Sequence, residues 1–241
     1  MAQNKSVRYI FNLLPIRIRC FIQSVVWMGR VDLGRGAYIH PSVHILGKAN
    51  IRVGLNSCVS EGGWLNVNFR KKNKLAIEIG SNCFIGKNNF FTSGDVIFIN
   101  DYTLTTVGCK FIGSSHNIEN PRVPYLNTGT TSNDRIEIGA NCFFGAGSTV
   151  LGNVKVGHGS VIGAASLVLQ NIPPFSIAVG NPAKVVKRYS FARSAWVPVS
   201  EISCDDEIGM PCEEDYLEQL KLQFPTINMP WIATGKNMGD L

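Results

Sequence analysis

Of the four histidines in this 241-residue chain, His116 stands where an imidazole can do chemistry. It sits in the run SSHN, directly before a polar stretch, 117–135, that carries Arg122 and Tyr125. An imidazole that titrates near neutrality can take a proton from a hydroxyl or an amine as that group attacks an electrophile. It works best when its second nitrogen has a partner that fixes tautomer and orientation. Asp95 could be that partner, as could Glu119 or a backbone carbonyl; equally, Asp95 could cap the turn at Gly94. Arg70, Lys71, Lys72 and Lys74 form a basic cluster that suits an anionic group, although such a run is also what a solvated loop looks like. His40, His44 and His158 read as ordinary surface or turn residues.

What could bring these scattered residues together is a repeat. Segments starting at Val31, Ile51, Ile77, Ile97, Ile136 and Val154 align as VDLGRGAYIH, IRVGLNSCVS, IEIGSNCFIG, IFINDYTLTT, IEIGANCFFG and VKVGHGSVIG. Two residues past each start stands an apolar residue (Leu33, Val53, Ile79, Ile99, Ile138, Val156). Six further on come Ile39, Val59, Ile85, Thr105, Phe144 and Ile162, and six beyond those Ile45, Leu65, Phe91, Phe111, Val150 and Val168. Only Thr105 breaks the apolar rule. A small-residue column, Ala37, Ser57, Cys83, Thr103, Cys142 and Ser160, lies between the first two. A period of six fits neither helical periodicity nor a hairpin array. It fits three short strands per turn, stacked about 4.8 Å apart as a triangular prism, a parallel β-helix. The spacings between starts are unequal, and the surplus residues fall at the end of each longer coil. Equal phase therefore gathers Arg70–Lys74, Asp95, Ser115 and His116 at one edge, from which the 117–135 excursion departs.

Composition narrows the setting. At 45% hydrophobic and 17% charged, with 24 glycines, the chain is neither disordered nor collagen-like. Residues 1–200 hold 21 Lys and Arg against 8 Asp and Glu; residues 201–241 hold 2 against 9. A basic body favours anionic partners. Seven cysteines without CxxC pairs argue for reduced thiols rather than a disulfide framework or zinc module, and Cys83 and Cys142 read as inward packing residues. Residues 6–28 are apolar but interrupted by Pro15, Arg17 and Arg19, which suggests two short helices on the body or on a membrane face, with the protein remaining in the cytoplasm. The domain reading is an N-terminal helical segment 1–30, a prism 31–188, and an acidic tail 189–241 with a helix over 213–224.

The run 136–188, IEIGANCFFGAGSTVLGNVKVGHGSVIGAASLVLQNIPPFSIAVGNPAKVVKR, resembles the closing coils and coenzyme A loop of the hexapeptide-repeat acyltransferases, in the branch of the galactoside, maltose and polysaccharide O-acetyltransferases. The resemblance covers about residues 31–188. It implies a left-handed parallel β-helix, a homotrimer with active sites between prisms, and acetyl-CoA as co-substrate, without a metal. On this resemblance His116 is the general base. Gly145, Ala146, Gly163 and Ala164 lie beside the pantetheine arm, and Gly180, Asn181, Pro182, Lys184 and Lys187, in a loop over 180–188, take the far end of the cofactor. Asn88, with Asn89 as the neighbouring register, matches a family asparagine that contacts the acceptor, and Lys71, Arg122 and Tyr125 complete a substrate-side set. Two departures stand out. Phe143 occupies a slot where several relatives have tryptophan, which leaves the oxyanion donor open, and Leu169–Gln170 replace a frequent Thr-Lys pair.

The expected activity is transfer of acetyl to a hydroxyl of a bacterial surface carbohydrate: capsule, O-antigen or exopolysaccharide, with sialic- or uronic-acid-containing chains favoured by the basic cluster. N-acetylation of a nucleotide-linked amino sugar, drug acetylation and a non-catalytic scaffold are the alternatives. Nucleic acid is not expected as a partner. A metal-dependent prism enzyme lacks its histidine spacing here.

Overall fold

The computed structural model describes residues 30–227, together with Ile18 and Ile22. The helices expected over 6–28 otherwise lie outside the described residues. No helix among the described residues is long and apolar enough to cross a membrane.

Six coils follow one another, three strands each. They are β1 (Asp32–Leu33), β2 (Tyr38–Ile39), β3 (His44–Leu46); β4 (Ile51–Val53), β5 (Cys58–Val59), β6 (Trp64–Val67); β7 (Ile77–Ile79), β8 (Phe84–Ile85), β9 (Phe90–Ser93); β10 (Val96–Ile99), β11 (Leu104–Thr105), β12 (Lys110–Ile112); β13 (Arg135–Ile138), β14 (Phe143–Phe144), β15 (Thr149–Leu151); and β16 (Val154–Val156), β17 (Val161–Ile162), β18 (Leu167–Val168). Beyond them lie β19 (Ser176–Gly180), β20 (Ala183–Ser190), β21 (Ala195–Pro198) and the helix α1 (Glu213–Gln223).

Every third strand pairs in parallel, so the coils build three faces. Sheet A is β1-β4-β7-β10-β13-β16, sheet C is β3-β6-β9-β12-β15-β18, and sheet B is β2-β5-β8-β11-β14-β17 extended by β19, β20 and β21. The register is the one the sequence alignment predicts: Ile51 pairs with Ile77, Ile77 with Ile97, Ile97 with Ile136 and Ile136 with Val154. The inward columns form one core. Phe91 stacks on Phe111 at 4.7 Å, and Phe144 meets Phe111 edge-on at 5.2 Å. Thr105, the polar exception, is tolerated inside because its hydroxyl accepts from the Gly86 amide at 3.1 Å.

The small-residue column is fully buried and stitches coil to coil. Ser57 donates to the Gly80 carbonyl at 2.6 Å and accepts from the Cys83 amide at 2.9 Å, and Thr103 repeats the pattern between Gly139 and Cys142. Burial pushes the Cys83 and Cys142 thiols up to about 12, so both stay protonated and serve as packing groups.

The A/B edge turns through a left-handed residue in every coil: Gly36, Asn56, Asn82, Tyr102, Asn141 and Gly159. Tyr102, at φ 64, is a bulky side chain in a conformation that favours glycine or asparagine. The C-terminal segment secures it, since the Tyr102 hydroxyl donates to the Phe224 carbonyl at 2.8 Å.

That segment is a strap running back down the A/B edge. Glu213 accepts from the Ala140 amide and from Asn100 Nδ2, each at 2.8 Å; Lys221 pairs with Asp101 at 3.2 Å; the Ile227 carbonyl accepts from Asn56 at 2.9 Å. His158 is buried rather than on the surface, with Nε2 3.2 Å from the Pro211 carbonyl and its ring against Phe175 and Tyr216. The boundary placed at 188 falls inside β20, because β20 and β21 continue sheet B into the tail. The acidic tail is thus joined to the prism through backbone pairing as well as side chains.

Candidate active site

The surplus residues do fall at one edge, between sheets C and A. Coil two leaves it through 68–76, coil three through Gly94–Asp95 and coil four through 113–134. Asn50 clamps the basic loop: its buried amide donates to the carbonyls of Lys71 at 2.6 Å and Lys74 at 2.7 Å. Arg70, Lys71 and Lys72 project outward and form no ion pair among the described residues. Nothing in the sequence singled out Asn50, because its role depends on a loop 21 residues away.

His116 stands at the base of the excursion, where its backbone forms an antiparallel bridge with Thr130. Thr131 staples this base. Its hydroxyl accepts from the Ser115 amide at 3.1 Å, its amide donates to the Ser115 carbonyl at 2.7 Å, and Ser114 donates to its carbonyl at 2.7 Å. The result is a rigid backbone under an exposed imidazole that has no hydrogen-bond partner among the described residues. Asp95 does not hold it. The Asp95 carboxylate pairs with Lys74 and, at 3.6 Å, with Arg135, because those cations lie on the rungs on either side of it. Nor does Asp95 cap the Gly94 turn with its side chain in any described hydrogen bond; its amide donates to the Asp134 carbonyl at 2.9 Å. Arg122 and Tyr125 are exposed on the excursion, where Asn120 accepts from the Arg122 amide at 3.0 Å.

The residues assigned to the cofactor gather at a different edge, between sheets B and C. Ala146 and Ala164 are exposed at the second position of stacked turns, and their amides donate to no described group. Gly145 is required for another reason than ligand approach: a Cβ there would lie 2.5 Å from the Ala164 amide nitrogen of the next coil. At Gly163 a Cβ would meet the Val179 side chain at 2.7 Å. Both glycines serve coil stacking, and the alanines present the outer surface.

The segment 180–188 is the tip and second strand of a hairpin rather than a loop, turning at a cis Asn181–Pro182 bond. Ser166 fastens it to this edge by accepting from the Gly180 amide at 3.0 Å. A bulge at Val186 lets Lys184 pair with Val179 and Lys187 with Ile177, so both lysines, three apart in sequence, share the outer face. Asn88 lies on this edge too. It is exposed at φ 55, in the position filled by Gly62, Gly108 and Gly147 elsewhere, while Asn89 is buried and donates to the Thr106 carbonyl at 2.7 Å. Phe143 projects from sheet B, 37% exposed, just before these turns. No group of three or more His, Cys, Asp or Glu among the described residues is placed to hold a metal ion.

Two half-sites result, His116 with the basic lip on one edge of sheet C and the alanine turns with the lysine hairpin on the other. A strand and its flanking turns separate them, about 15–20 Å at about 3.3 Å per residue.

Residues 135–170 match the family model described as bacterial transferase hexapeptide (six repeats), so the closing coils carry that hexapeptide repeat. No curated protein matches the chain. Among solved structures, the chain is similar to AntD, an N-acyltransferase from Bacillus cereus, in complex with dTDP and 3-hydroxybutyryl-CoA: 20% identity over 69% of this chain and 87% of that one, TM-score 0.59. A variant of AntD with dTDP-4-amino-4,6-dideoxyglucose and coenzyme A gives 18% identity over 69% and 88%, TM-score 0.57. A maltose O-acetyltransferase from Clostridium difficile gives 22% over 76% and 83%, TM-score 0.47. At these identities the AntD likeness is one of fold.

Proposed function

We propose that this chain is an acetyl-CoA-dependent O-acetyltransferase that modifies a hydroxyl of a bacterial surface carbohydrate, working in the cytoplasm as a homotrimer of left-handed prisms. The observation that carries the reading is the separation of the half-sites. An imidazole with no partner among the described residues on one edge of sheet C and small-residue turns with two lysines on the other complete each other when the edge of one copy meets the opposite edge of the next.

In that arrangement the pantetheine arm lies along Ala146 and Ala164, and Lys184 and Lys187 take the phosphates. His116 of the neighbouring copy accepts the proton of the acceptor hydroxyl as its oxygen attacks the thioester carbonyl carbon. A C–O bond forms and the carbonyl becomes an oxyanion, for which the unused Ala146 amide is the available donor in place of the N–H that Phe143 lacks. Collapse breaks the C–S bond, and the leaving thiolate takes the proton from the imidazolium. Asp95 acts one step removed, setting the position of Lys74 and Arg135 beside the base. Lys71, Arg122, Tyr125 and, across the interface, Asn88 face the acceptor, and the cations, which form no ion pair among the described residues, favour an acidic one. Residues 6–28 are proposed as a peripheral membrane contact.

A second reading, N-acetylation of a nucleotide-linked amino sugar, uses the same base and cofactor; the AntD complexes with dTDP and a dTDP-amino sugar make it worth testing. Purified protein incubated with acetyl-CoA and either hydroxyl-only or amino-sugar acceptors separates the two, since esters are labile to mild base and amides are not. A non-catalytic scaffold would bind no coenzyme A, and that result would end both readings.

A further inference from the structure

Asn50 closes coil one at the C/A edge, one rung below the loop 68–76 by which coil two leaves that edge. It is 5% exposed, and its amide nitrogen places one proton on the Lys71 carbonyl at 2.6 Å and the other on the Lys74 carbonyl at 2.7 Å. Its own carbonyl accepts from the Ala76 amide at 2.8 Å. One buried residue thus grips the loop from its middle to its end.

The loop needs such a grip. Arg70, Lys71, Lys72 and Lys74 crowd like charges that repel one another. Asn68 ties the entry by donating to the Thr92 hydroxyl at 3.1 Å, and Asn73 turns the chain at φ 59, a conformation that asparagine tolerates. Lys74 is drawn inward to Asp95, whereas Arg70, Lys71 and Lys72 are exposed and form no ion pair among the described residues. A neutral amide is suited to position 50 because it donates twice without attracting ammonium groups. A carboxylate there could not donate to the carbonyls and would pull the lysines down onto the prism.

We propose that Asn50 is a positioning residue for the acceptor. By fixing the backbone of the lip it holds Arg70, Lys71 and Lys72 at a set distance from His116, so that they meet a carboxylate of an acidic acceptor lying in the furrow between copies. The inference rests on the transferase reading for its purpose. The lip and His116 leave the same edge two rungs apart, about 10 Å. The anion met by the lip therefore belongs to a sugar further along the chain than the one acetylated. Fixing the backbone in advance confines the ordering cost of binding to the side chains, which is where the gain in affinity arises.

The same contacts could serve only to close the coil, and a double-mutant cycle separates the two roles. Full-length protein without acetyl-CoA is titrated by calorimetry with trigalacturonic acid and with its fully methyl-esterified form. Asn50→Ala should weaken the acid form about tenfold and leave the ester unchanged. In the background Arg70→Gln/Lys71→Gln/Lys72→Gln the same substitution should change neither. Hydrogen exchange over 68–76 should quicken in Asn50→Ala while that of the core strands stays as it was. Asn50→Asp should weaken the acid form at least as much, and Asn50→Ser, too short to reach both carbonyls, stands in if the alanine variant does not fold. Failure of the wild type to bind the acid form, an equal loss in both backgrounds, or an equal loss for acid and ester would overturn the inference. Acetyl transfer is assayed separately, where Asn50→Ala should raise KM for an acidic acceptor and spare kcat. Wild-type protein that binds the acid form through the lip and transfers no acetyl would end the transferase reading and leave the cycle standing, so the two can fail independently.

Discussion

The two edges that flank sheet A are made by the same repeat and have opposite fates. On the A/B edge every coil turns in the minimum number of residues, and the C-terminal strap satisfies what the turns expose: Glu213 on Ala140 and Asn100, Phe224 on Tyr102, Ile227 on Asn56. On the C/A edge the turns of coils two and four are overlong, the imidazole of His116 has no described partner, and Arg70, Lys71 and Lys72 form no ion pair among the described residues. A uniform scaffold can thus concentrate its stability on one edge and its chemistry on another, because each edge is addressed separately by loop length.

Replacing His116 tests the contrast most severely. His116→Ala should lower acetyl transfer by about 10²–10⁴-fold while leaving melting temperature and coenzyme A affinity unchanged, since the ring is exposed and makes no hydrogen bond to a described residue. Full activity in that variant would remove the base from this edge. The reciprocal change on the strapped edge, Glu213→Ala, strands the Ala140 amide and the Asn100 side chain; it should cost about 1–3 kcal/mol in thermal or denaturant unfolding and spare kcat. A variant that lost activity without losing stability would mean that the strap belongs to the site.

Legibility in the sequence follows the same division. The alignment of VDLGRGAYIH with its five successors predicts strand register residue by residue, because each inward position is constrained by the identical position one rung away. Loop surplus likewise predicts which edge carries His116. What it hides is contact between parts with no repeating template. Asn50 reaches the exit loop of the next coil, His158 and Tyr102 are claimed by the tail, and Asp95 is captured by Lys74 and Arg135 rather than by the imidazole. The opposed placement of the half-sites was implicit in the coil arithmetic, but it becomes visible only once Ser166 is seen to fasten the 180–188 hairpin to the B/C edge.

Asp95→Asn separates the two accounts of that carboxylate. If Asp95 oriented the imidazole, its loss would lower the apparent pKa in the pH profile of kcat/KM, because the imidazolium would forfeit a stabilising anion. The half-exposed ion pairs predict instead an unchanged profile and a stability loss below about 1 kcal/mol, with any rise in KM reporting a displaced Lys74 or Arg135.

The effect most confined in space concerns how the strap leaves sheet B. Asp206 is buried and accepts from the Ser190 hydroxyl at 2.6 Å and from the Ser203 amide and hydroxyl, each at 2.8 Å, with Arg193 alongside at 2.8 Å. These donors, Ser190 first, hold its carboxyl down at about 2. A carboxyl lower in the folded protein than its unfolded value of about 3.9 stabilises the fold fully above that value. The contribution fades as pH falls toward 2, where the folded group also takes up its proton. Proteolysis or hydrogen exchange of residues 191–227 should therefore accelerate between about pH 4 and pH 2 in the wild type. In Asp206→Asn the segment should already be loosened at neutral pH, with a flatter response to acid. Parallel acid profiles for the two proteins would move the anchor of the strap away from Asp206 and onto the Glu213 contacts at the A/B edge.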